Sequence, residues 1–503
     1  MTSTAPASSP DNSAVPRALS LEAVLPRQRE LFYDGKWQAP RSGRLIQVSS
    51  PATGEPICEI ADAGVEDVDM VVAAARRGFL EWRDVHPADR AKTLREIAAI
   101  LRKHAREIAF LDSADSGSPV REMEHDALSA AAQMEFFAGL VTEMKGASIP
   151  MGPNAVNFSV REPVGVVARI VPFNHPFMFC AGKSAAPLAA GNSVVVKPPE
   201  QAPLSSLRLA ELIGHLLPPG VFNVLPGGRD VGSALVAHPD VAMVALIGSV
   251  PTGRAVMRSA AASIKPTLLE LGGKNALISF GDADPQQVAA AIVAGMNFTW
   301  CGQSCGSTSR AFVHDSIYER VIEQVVHKVA AFKPGSPTEP STTMGAIVSK
   351  TQFERVLSYI EAGKREGARL VYGGGRPNAP ELARGWFIEP TIFADVTPDM
   401  TIAREEIFGP VLSILKWSDQ DAMVGAVNNT EFGLTCSIWT NDLNRAHRTA
   451  MRVEAGYVWI NHVGQHLLGA PFGGFKQSGM GREECLEELL SFTQEKNIYL
   501  RLH

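Results

Sequence analysis

Two hydrophobic periods alternate along the first third of the chain. Residues 27–54 show short alternating apolar and polar runs separated by turns, a pattern typical of short strands. From Val65 the apolar positions recur at helical spacing, and further amphipathic helices are predicted over residues 90–110 and 121–144. These helices are predicted to pack against a core, and no chemistry is assigned to them.

Continuously apolar runs replace the alternating pattern between residues 164 and 271. Such runs are typical of strands buried on both faces, and each is followed by a turn and a helical segment. Repeated strand–turn–helix units predict a doubly wound parallel sheet, with ligands at the carboxyl ends of its strands. A second α/β block begins at Ala276 and ends in a glycine-rich loop, GAPFGGFKQSGMGRE. The predicted strands of the first block are 164–171, 193–196, 221–225, 241–247 and 265–271.

Two further alternating segments, NFSVREP and the C-terminal TQEKNIYLRL, lie in polar surroundings. A long strand on the surface is a liability unless another strand covers its edge. We therefore expect both segments to pair between subunits of a homo-oligomer.

Composition describes an ordinary globular protein. The 503 residues are too many for one core, and 45% are hydrophobic and 20% charged. A net charge of −6 without a basic stripe argues against nucleic acid as a partner, and no apolar run is long enough to span a membrane. Residues 1–26 are rich in Ser, Ala and Pro without the pattern of a secretory signal, so a disordered tail is predicted.

Six scattered cysteines do not form a disulfide framework, which favours a reducing cytoplasm. Cys301 and Cys305 are close in sequence, but no second Cys/His pair follows at ligand spacing. A metal site is therefore not predicted.

Cys305 is the candidate nucleophile, in the segment FTWCGQSCGSTSR. Small residues on its carboxyl side leave a thiol accessible, and backbone N–H groups can stabilise the charge that develops on an attacked carbonyl. On this segment alone, a buried structural cysteine explains the pattern equally well.

Polar residues follow several of the predicted strands. Lys197 and Glu200 come after a buried strand, where a lysine can donate to ribose hydroxyls and a carboxylate can accept from a 2′-hydroxyl. The turn GSVPTG opens a helix and could bind a pyrophosphate, although it is not a GxGxxG motif. Solvated loop charges and an ordinary turn are the alternatives for these features.

Six motifs in order resemble the aldehyde dehydrogenase superfamily, over residues 31–500. They are PFN, KPPE, LELGGK, GQSC, EEIFGP and PFGG, with Glu270 of LELGGK preceding Cys305 by 35 positions (305 − 270). The resemblance implies an NAD-dependent enzyme that oxidises an aldehyde to its acid, with NADP as a possible second cofactor. Thiolate attack followed by thioester hydrolysis is chemistry that suits these residue types.

The resemblance implies roles for individual residues. Cys305 would attack the aldehyde, Glu270 would activate water to hydrolyse the thioester, Asn174 would help to hold the oxyanion, and Glu483 would relay protons. The residues implied as cofactor contacts are Val171, Pro172, Phe173, Lys197, Glu200, Gly232, Gly248, Ser249, Gly253, Leu271, Glu406 and Phe408.

Substrate contacts are implied at His175, Phe179, Gly182 and His466. Many relatives have large aromatic residues at these places, and Gly182 is expected to leave space where betaine-aldehyde enzymes have part of an aromatic box. A bulkier or polar aldehyde is therefore expected rather than betaine aldehyde. Two histidines that only hydrogen-bond locally are the alternative. Trp300 and Cys301 replace polar amides of the family, and we expect altered packing and a free structural thiol.

The resemblance also implies how the chain is divided. An NAD-binding domain would comprise residues 27–144 and 163–272, a catalytic domain residues 273–477, and a dimerising or tetramerising β arm residues 145–162 and 490–503. Residues 478–489 would return to the cofactor domain. A coenzyme-A-acylating semialdehyde dehydrogenase is one alternative, against which Glu270 argues because such an enzyme can omit water activation. A non-catalytic protein of the same fold is another, and intact Cys305, Glu270 and Asn174 argue against it.

Overall fold

A computed structural model describes residues 19–502. Most of the predicted N-terminal tail lies outside these residues. The prediction that disorder extends to residue 26 is wrong, because Leu21–Val24 forms a short helix that buries Val24.

The described residues contain sixteen α-helices. They are α1 Leu21–Val24, α2 Val65–Trp82, α3 Pro87–Ser116, α4 Val120–Gly139, α5 Pro176–Gly182, α6 Ala185–Ala190, α7 Leu204–Ile213, α8 Arg229–Ala237, α9 Val250–Ala261, α10 Pro285–Gly295, α11 Tyr318–Val329, α12 Lys350–Arg365, α13 Thr401–Arg404, α14 Gln420–Asn428, α15 Leu443–Ala450 and α16 Leu486–Ser491.

Twenty strands accompany these helices in the described part of the chain. They are β1 Leu31–Tyr33, β2 Lys36–Gln38, β3 Leu45–Ser49, β4 Pro56–Ala61, β5 Ser148–Ile149, β6 Ala155–Pro163, β7 Val166–Ile170, β8 Ser193–Lys197, β9 Phe222–Val224, β10 Val241–Ile247, β11 Thr267–Glu270, β12 Ala276–Ser279, β13 Arg310–His314, β14 Arg369–Tyr372, β15 Thr391–Ala394, β16 Val411–Trp417, β17 Thr435–Trp439, β18 Tyr457–Ile460, β19 Gly479–Met480 and β20 Thr493–Arg501.

The first large sheet has the order β19-β11-β10-β7-β8-β9-β1-β2. Its five central strands are parallel, and the chain moves from β7 to β8 and β9 on one side before returning to β10 and β11 on the other. This reversal confirms the predicted doubly wound sheet. It opens a crevice at the carboxyl ends of β7 and β10, the usual ligand position in such folds.

Burial on both faces explains the continuously apolar strands of this sheet. Along β7, Val166 and Ala168 belong to one hydrophobic cluster, whereas Val167 between them belongs to the cluster on the opposite face. Successive side chains of a strand point to opposite faces, so both faces need apolar residues.

The second large sheet has the order β14-β15-β16-β13-β12-β17-β18 and is parallel except for β14. The chain crosses from the carboxyl end of β11 in the first sheet to the amino end of β12 in the second through residues 271–275. This short crossing brings the ligand-binding edge of one sheet against the starting edge of the other.

The two alternating surface segments pair within the chain. β20 runs antiparallel to β6 over its whole length, and β5 covers the other edge of β6. The expectation that each segment would need a strand from another subunit is therefore wrong for β6. The outer edge of β20 has no neighbouring strand within residues 19–502.

None of the helices found in residues 19–502 combines the length and the apolar character that crossing a membrane requires.

Candidate active site

Asn275 fixes the loop that carries Cys305. Its side-chain amide donates to the carbonyl oxygens of Cys305 at 2.7 Å and Ser307 at 3.0 Å, and its Oδ1 accepts the N–H of Thr435 at 3.0 Å. The crossing segment, the cysteine loop and β17 are thereby joined at one side chain. Asn275 is a positioning residue that the sequence argument missed, although it directly follows LELGGK.

The two glycines of LELGGK allow this segment to pass between its neighbours. A Cβ on Gly272 would lie 2.1 Å from a carboxylate oxygen of Glu406, and one on Gly273 would lie 2.8 Å from the carbonyl oxygen of Cys305. The N–H of Gly273 donates to Glu406 at 2.9 Å. A larger residue at Gly272 would displace Glu406, and one at Gly273 would displace the loop that carries Cys305.

Cys305 and Glu270 open onto the same cavity of about 530 Å³. Burial, reinforced by the charge of Glu483, raises the pKa of Glu270 to about 8. Burial and then the neighbouring Glu270 raise the pKa of the Cys305 thiol as well. Near neutral pH both groups therefore hold their protons until a ligand or a reaction step changes their surroundings.

Asn174 follows β7 and is buried. Its side-chain amide makes no hydrogen bond to any other described residue, and its Oδ1 is buried without a partner. Buried amides normally have partners, and this unpaired amide directly precedes His175, which lines the cavity.

Glu483 belongs to a buried ionic cluster behind Glu270. Its carboxylate lies 2.8 Å from Arg169 and 3.0 Å from Lys183, and Lys183 also lies 3.5 Å from Glu484. Burial alone would raise the pKa of Glu483, but Lys183 and Arg169 outweigh burial and lower this pKa. Glu483 is therefore a fixed negative charge that helps to keep Glu270 protonated.

Lys197 ends β8 at the crevice of the first sheet. It is buried, and burial lowers the pKa of its ammonium group. Gly232 of α8 faces its stem, since a Cβ there would lie 3.4 Å from Cδ of Lys197. Glu200 lies nearby and is exposed to solvent.

Ser249 caps the first turn of α9, and its Oγ accepts the N–H of Thr252 at 3.4 Å. Gly248 lies between β10 and this cap, and its N–H donates to the carbonyl oxygen of Glu270, the last residue of β11, at 3.0 Å. A Cβ on Gly253 would lie 2.6 Å from Leu271, so the glycine lets α9 pack closely against the crossing segment.

The remaining implied cofactor residues lie at the junction of the two sheets. The rings of Phe173 and Phe408 meet edge to face at 5.8 Å, and Glu406 is held by the N–H of Gly273. Val171 is buried, its N–H donates to the carbonyl oxygen of Lys197 at 3.2 Å, and Pro172 follows it in the chain.

Three of the four implied substrate residues line the cavity: His175, Phe179 and His466. Each histidine is held by a carboxylate, His175 by Asp126 at 2.7 Å and His466 by Glu484 at 3.2 Å. The side chain of His175 is 14% exposed and that of His466 is 38% exposed, so His175 lies deeper in the cavity.

Comparison with known proteins identifies the family of the chain. The sequence model described as "Aldehyde dehydrogenase family" matches residues 37–498. The chain belongs to the aldehyde dehydrogenase family. Among relatives, this aldehyde dehydrogenase is 51% identical to the aldehyde dehydrogenase tropH of Talaromyces stipitatus over 96% of this chain and 95% of that protein. It is 41% identical to a betaine aldehyde dehydrogenase of Brucella anthropi, over 94% and 97%.

Solved structures agree with this membership. An aldehyde dehydrogenase from Bacillus cereus, solved as an NAD⁺ complex, superimposes with a TM-score of 0.92 at 38% identity, covering 96% of this chain and 98% of that one. An indole-3-acetaldehyde dehydrogenase, also with NAD⁺, gives a TM-score of 0.92 at 37% identity, covering 94% and 97%.

The substrate prediction at Gly182 is wrong. Gly182 lies in α5 and faces α4, where a Cβ would come within 2.6 Å of Oε1 of Gln133, and it does not line the cavity of this aldehyde dehydrogenase. The space expected at Gly182 is filled by a neighbouring helix, so this position gives no argument about betaine aldehyde.

Sequence reasoning also missed part of the cavity wall. Trp300, expected to affect packing alone, lines the cavity and lies 5.4 Å from the His175 ring between ring centres. Asp126 and Lys183 were not singled out because they lie in segments whose sequence pattern predicts packing helices. The expected free thiol at Cys301 is buried in the core of the second sheet.

Proposed function

We propose that this aldehyde dehydrogenase oxidises an aldehyde to its carboxylate through a covalent intermediate on Cys305. The observation that carries the proposal is that Cys305 and Glu270 share one cavity at the junction of the two sheets. A thiol and a carboxyl of raised pKa, side by side, are the pair needed to form and then hydrolyse a thioester.

The described residues fit NAD at the crevice of the first sheet. Lys197 and Glu200 stand where ribose hydroxyls are held in doubly wound folds, the start of α9 at Ser249 suits a pyrophosphate, and Glu406 and Phe408 stand on the Cys305 side. Relatives of this fold bind NAD⁺, which supports the same cofactor here. Because Glu200 is exposed and can turn away from a 2′-phosphate, NADP is a possible second cofactor.

The chain's own groups perform the proton and charge steps. The Cys305 thiol releases its proton to water and its sulfur adds to the aldehyde carbonyl, while the side-chain amide of Asn174 and the backbone N–H of Cys305 donate to the oxygen that becomes negative. NAD⁺, when bound, supplies the acceptor for the hydride that leaves the Cys305 thiohemiacetal, so that a thioester remains on the cysteine. Glu270 then takes a proton from water, whose oxygen attacks the thioester and releases the acid.

Glu483 acts on this sequence through Glu270. Its fixed negative charge opposes ionisation of Glu270, which keeps the pKa of this base close to the working pH. The family resemblance implies that Glu483 relays protons. Such a relay would use a carboxylate that is already paired with Arg169 and Lys183.

Cys305→Ala tests the proposal. We expect no NADH formation from any aldehyde, whereas NAD⁺ binding, measured by calorimetry, stays within about threefold of the wild type, since a small change in one contact alters affinity little. Cys301→Ala is the matched control and should retain activity because its thiol is in the core. NADH formation by Cys305→Ala at the wild-type rate would contradict the proposal.

We further infer a homodimer or homotetramer in the cytoplasm. The open edge of β20 and the exposed Tyr499 and Leu500 support assembly through the arm predicted at residues 145–162 and 490–503. Six free thiols within the described residues are compatible with a reducing compartment.

A further inference from the structure

Asp126 and His175 form a hydrogen-bonded polar pair in the wall of the substrate cavity. We propose that this pair is a hydroxyl-binding subsite and that the substrate is an aromatic aldehyde with a hydroxyl group on its ring. This inference rests on the proposed function, because it names the substrate class of the same cavity.

Asp126 determines which ring nitrogen of His175 carries the hydrogen. A carboxylate can accept hydrogen bonds but not donate them, so the 2.7 Å contact places a hydrogen on Nδ1 of His175. In the neutral ring, Nε2 is then the acceptor. Nε2 has no hydrogen-bond partner among the described residues, although the side chain is largely buried.

A second unpartnered polar atom lies on the adjoining residue of the wall. The indole Nε1–H of Trp300 is buried and makes no hydrogen bond within the described structure. The Trp300 and His175 rings are 5.4 Å apart between centres, and both residues line the cavity. This wall therefore carries two unpartnered polar atoms, and Nε2 of His175 is the one that the proposal assigns to the ligand. A hydroxyl group matches it, because a hydroxyl can donate one hydrogen and accept others.

The rest of the lining favours an aromatic ring between this subsite and Cys305. Aromatic side chains contribute much of the wall, and such rings pack well against a flat ring in stacked or edge-on geometry. The volume of about 530 Å³ lies within the usual range for small-molecule sites. The aromatic lining residues are Phe179, Trp300, Trp459 and Phe472.

Three carboxylates of the cavity wall already have partners within the chain. The carboxylate of Asp126 is engaged by His175, and those of Glu483 and Glu484 are engaged by Lys183, with His466 as a further partner of Glu484. A cationic substrate would have to compete with these contacts, whereas a neutral hydroxyl uses atoms that are unpaired.

The test compares ring substituents in matched aldehydes. For the wild type, kcat/KM is measured with benzaldehyde, with 3- and 4-hydroxybenzaldehyde, with their methyl ethers and with hexanal, by NADH absorbance. We expect the better hydroxy isomer to exceed benzaldehyde and its own methyl ether by about tenfold or more, since an ether cannot donate to Nε2.

His175→Phe is the decisive variant, because it keeps an aromatic ring between Trp300 and Phe179 and removes the acceptor. We expect the ratio of kcat/KM for the hydroxy aldehyde over benzaldehyde to fall about tenfold, towards one. Asp126→Asn should lower the same ratio, because an amide can donate to Nδ1 as well as accept from it, so that the tautomer of His175 is no longer fixed. A merely structural role would change both substrates in parallel.

His104→Gln is the matched control. His104 is also held by a carboxylate through Nδ1, at 2.9 Å from Glu107, but it does not line the cavity, so the ratio should stay at the wild-type value. NAD⁺ binding by calorimetry reports whether each variant is folded.

Two failures can be told apart. The subsite is wrong if the wild type forms NADH from these aldehydes but does not prefer the hydroxy aldehydes, or if it prefers hexanal. It is also wrong if the preference for the hydroxy aldehyde persists in His175→Phe. In each of these cases the proposed function stands. If the wild type forms no NADH from any aldehyde tested, both are wrong.

Discussion

Glu270 shows how a single residue links the fold to the pH range of activity. Burial, with the charge of Glu483, raises its pKa to about 8, and it must be ionised to accept a proton from water. One unit below that pKa about a tenth of the carboxyl is ionised. We therefore expect kcat to rise about tenfold per pH unit below neutrality and to level off above about pH 8.

A pH series of single-turnover deacylation rates checks this prediction. Glu483→Gln removes a negative charge near Glu270, so the midpoint of the series should move to lower pH. A deacylation rate that does not change between pH 6 and 8 would contradict the role of Glu270.

Local sequence motifs, together with the chemistry of a covalent intermediate, were enough to predict three candidate site residues. Cys305, Glu270 and Asn174 each lie beside a turn or at a strand end, where side chains reach a crevice. His175 could be identified as a lining residue, but its partner Asp126 could not, because 49 residues separate them and only tertiary packing brings α4 against the chain after β7. The interpretation of Gly182 failed for the same reason, since Gln133 of α4 fills the space.

At the scale of elements, the ionic cluster of Lys183, Arg169 and Glu483 joins the residue that follows α5 to β7 and to the segment before α16. Lys183 is 2% exposed, and its removal would leave Glu483 and Glu484 with fewer partners in a buried site. We expect Lys183→Met to lower the free energy of unfolding by about 3–5 kcal/mol, measured by urea denaturation.

Lys145→Met is the control for this measurement. The Lys145–Glu143 pair is exposed, and such pairs contribute about 1 kcal/mol or less. Equal stability of the two variants would show that the buried cluster is not held by Lys183.

Element boundaries were predicted where the hydrophobic pattern is unambiguous. The strand predicted at residues 241–247 is β10 as observed, because it is apolar throughout and lies at the sheet centre. β4 was missed, since its alternating PICEIA pairs only with β3 and carries a weak signal. The strand pair β6–β20 shows a different limit: its alternation was recognised, but sequence alone could not tell a partner within the chain from one in another subunit.

At the scale of the whole molecule, the arm formed by β5, β6 and β20 is the surface we expect to mediate assembly. Leu500 on β20 is 50% exposed, and a charge there would oppose burial against a second subunit. We expect Leu500→Glu to shift the wild-type dimer or tetramer towards smaller species, by light scattering after size exclusion. Leu443→Glu, at an exposed position of α15, is the control. A wild type that is monomeric at all concentrations would contradict the inference.

The central claim is that Cys305 carries the acyl group and Glu270 releases it, and intact mass of the Glu270→Gln variant tests it most directly. After mixing with NAD⁺ and an aldehyde that the wild type oxidises, we expect about one NADH per subunit in a rapid burst. The protein mass should rise by one acyl group, which peptide mapping assigns to Cys305. Continued turnover without an adduct, or an adduct on another residue, would contradict the account.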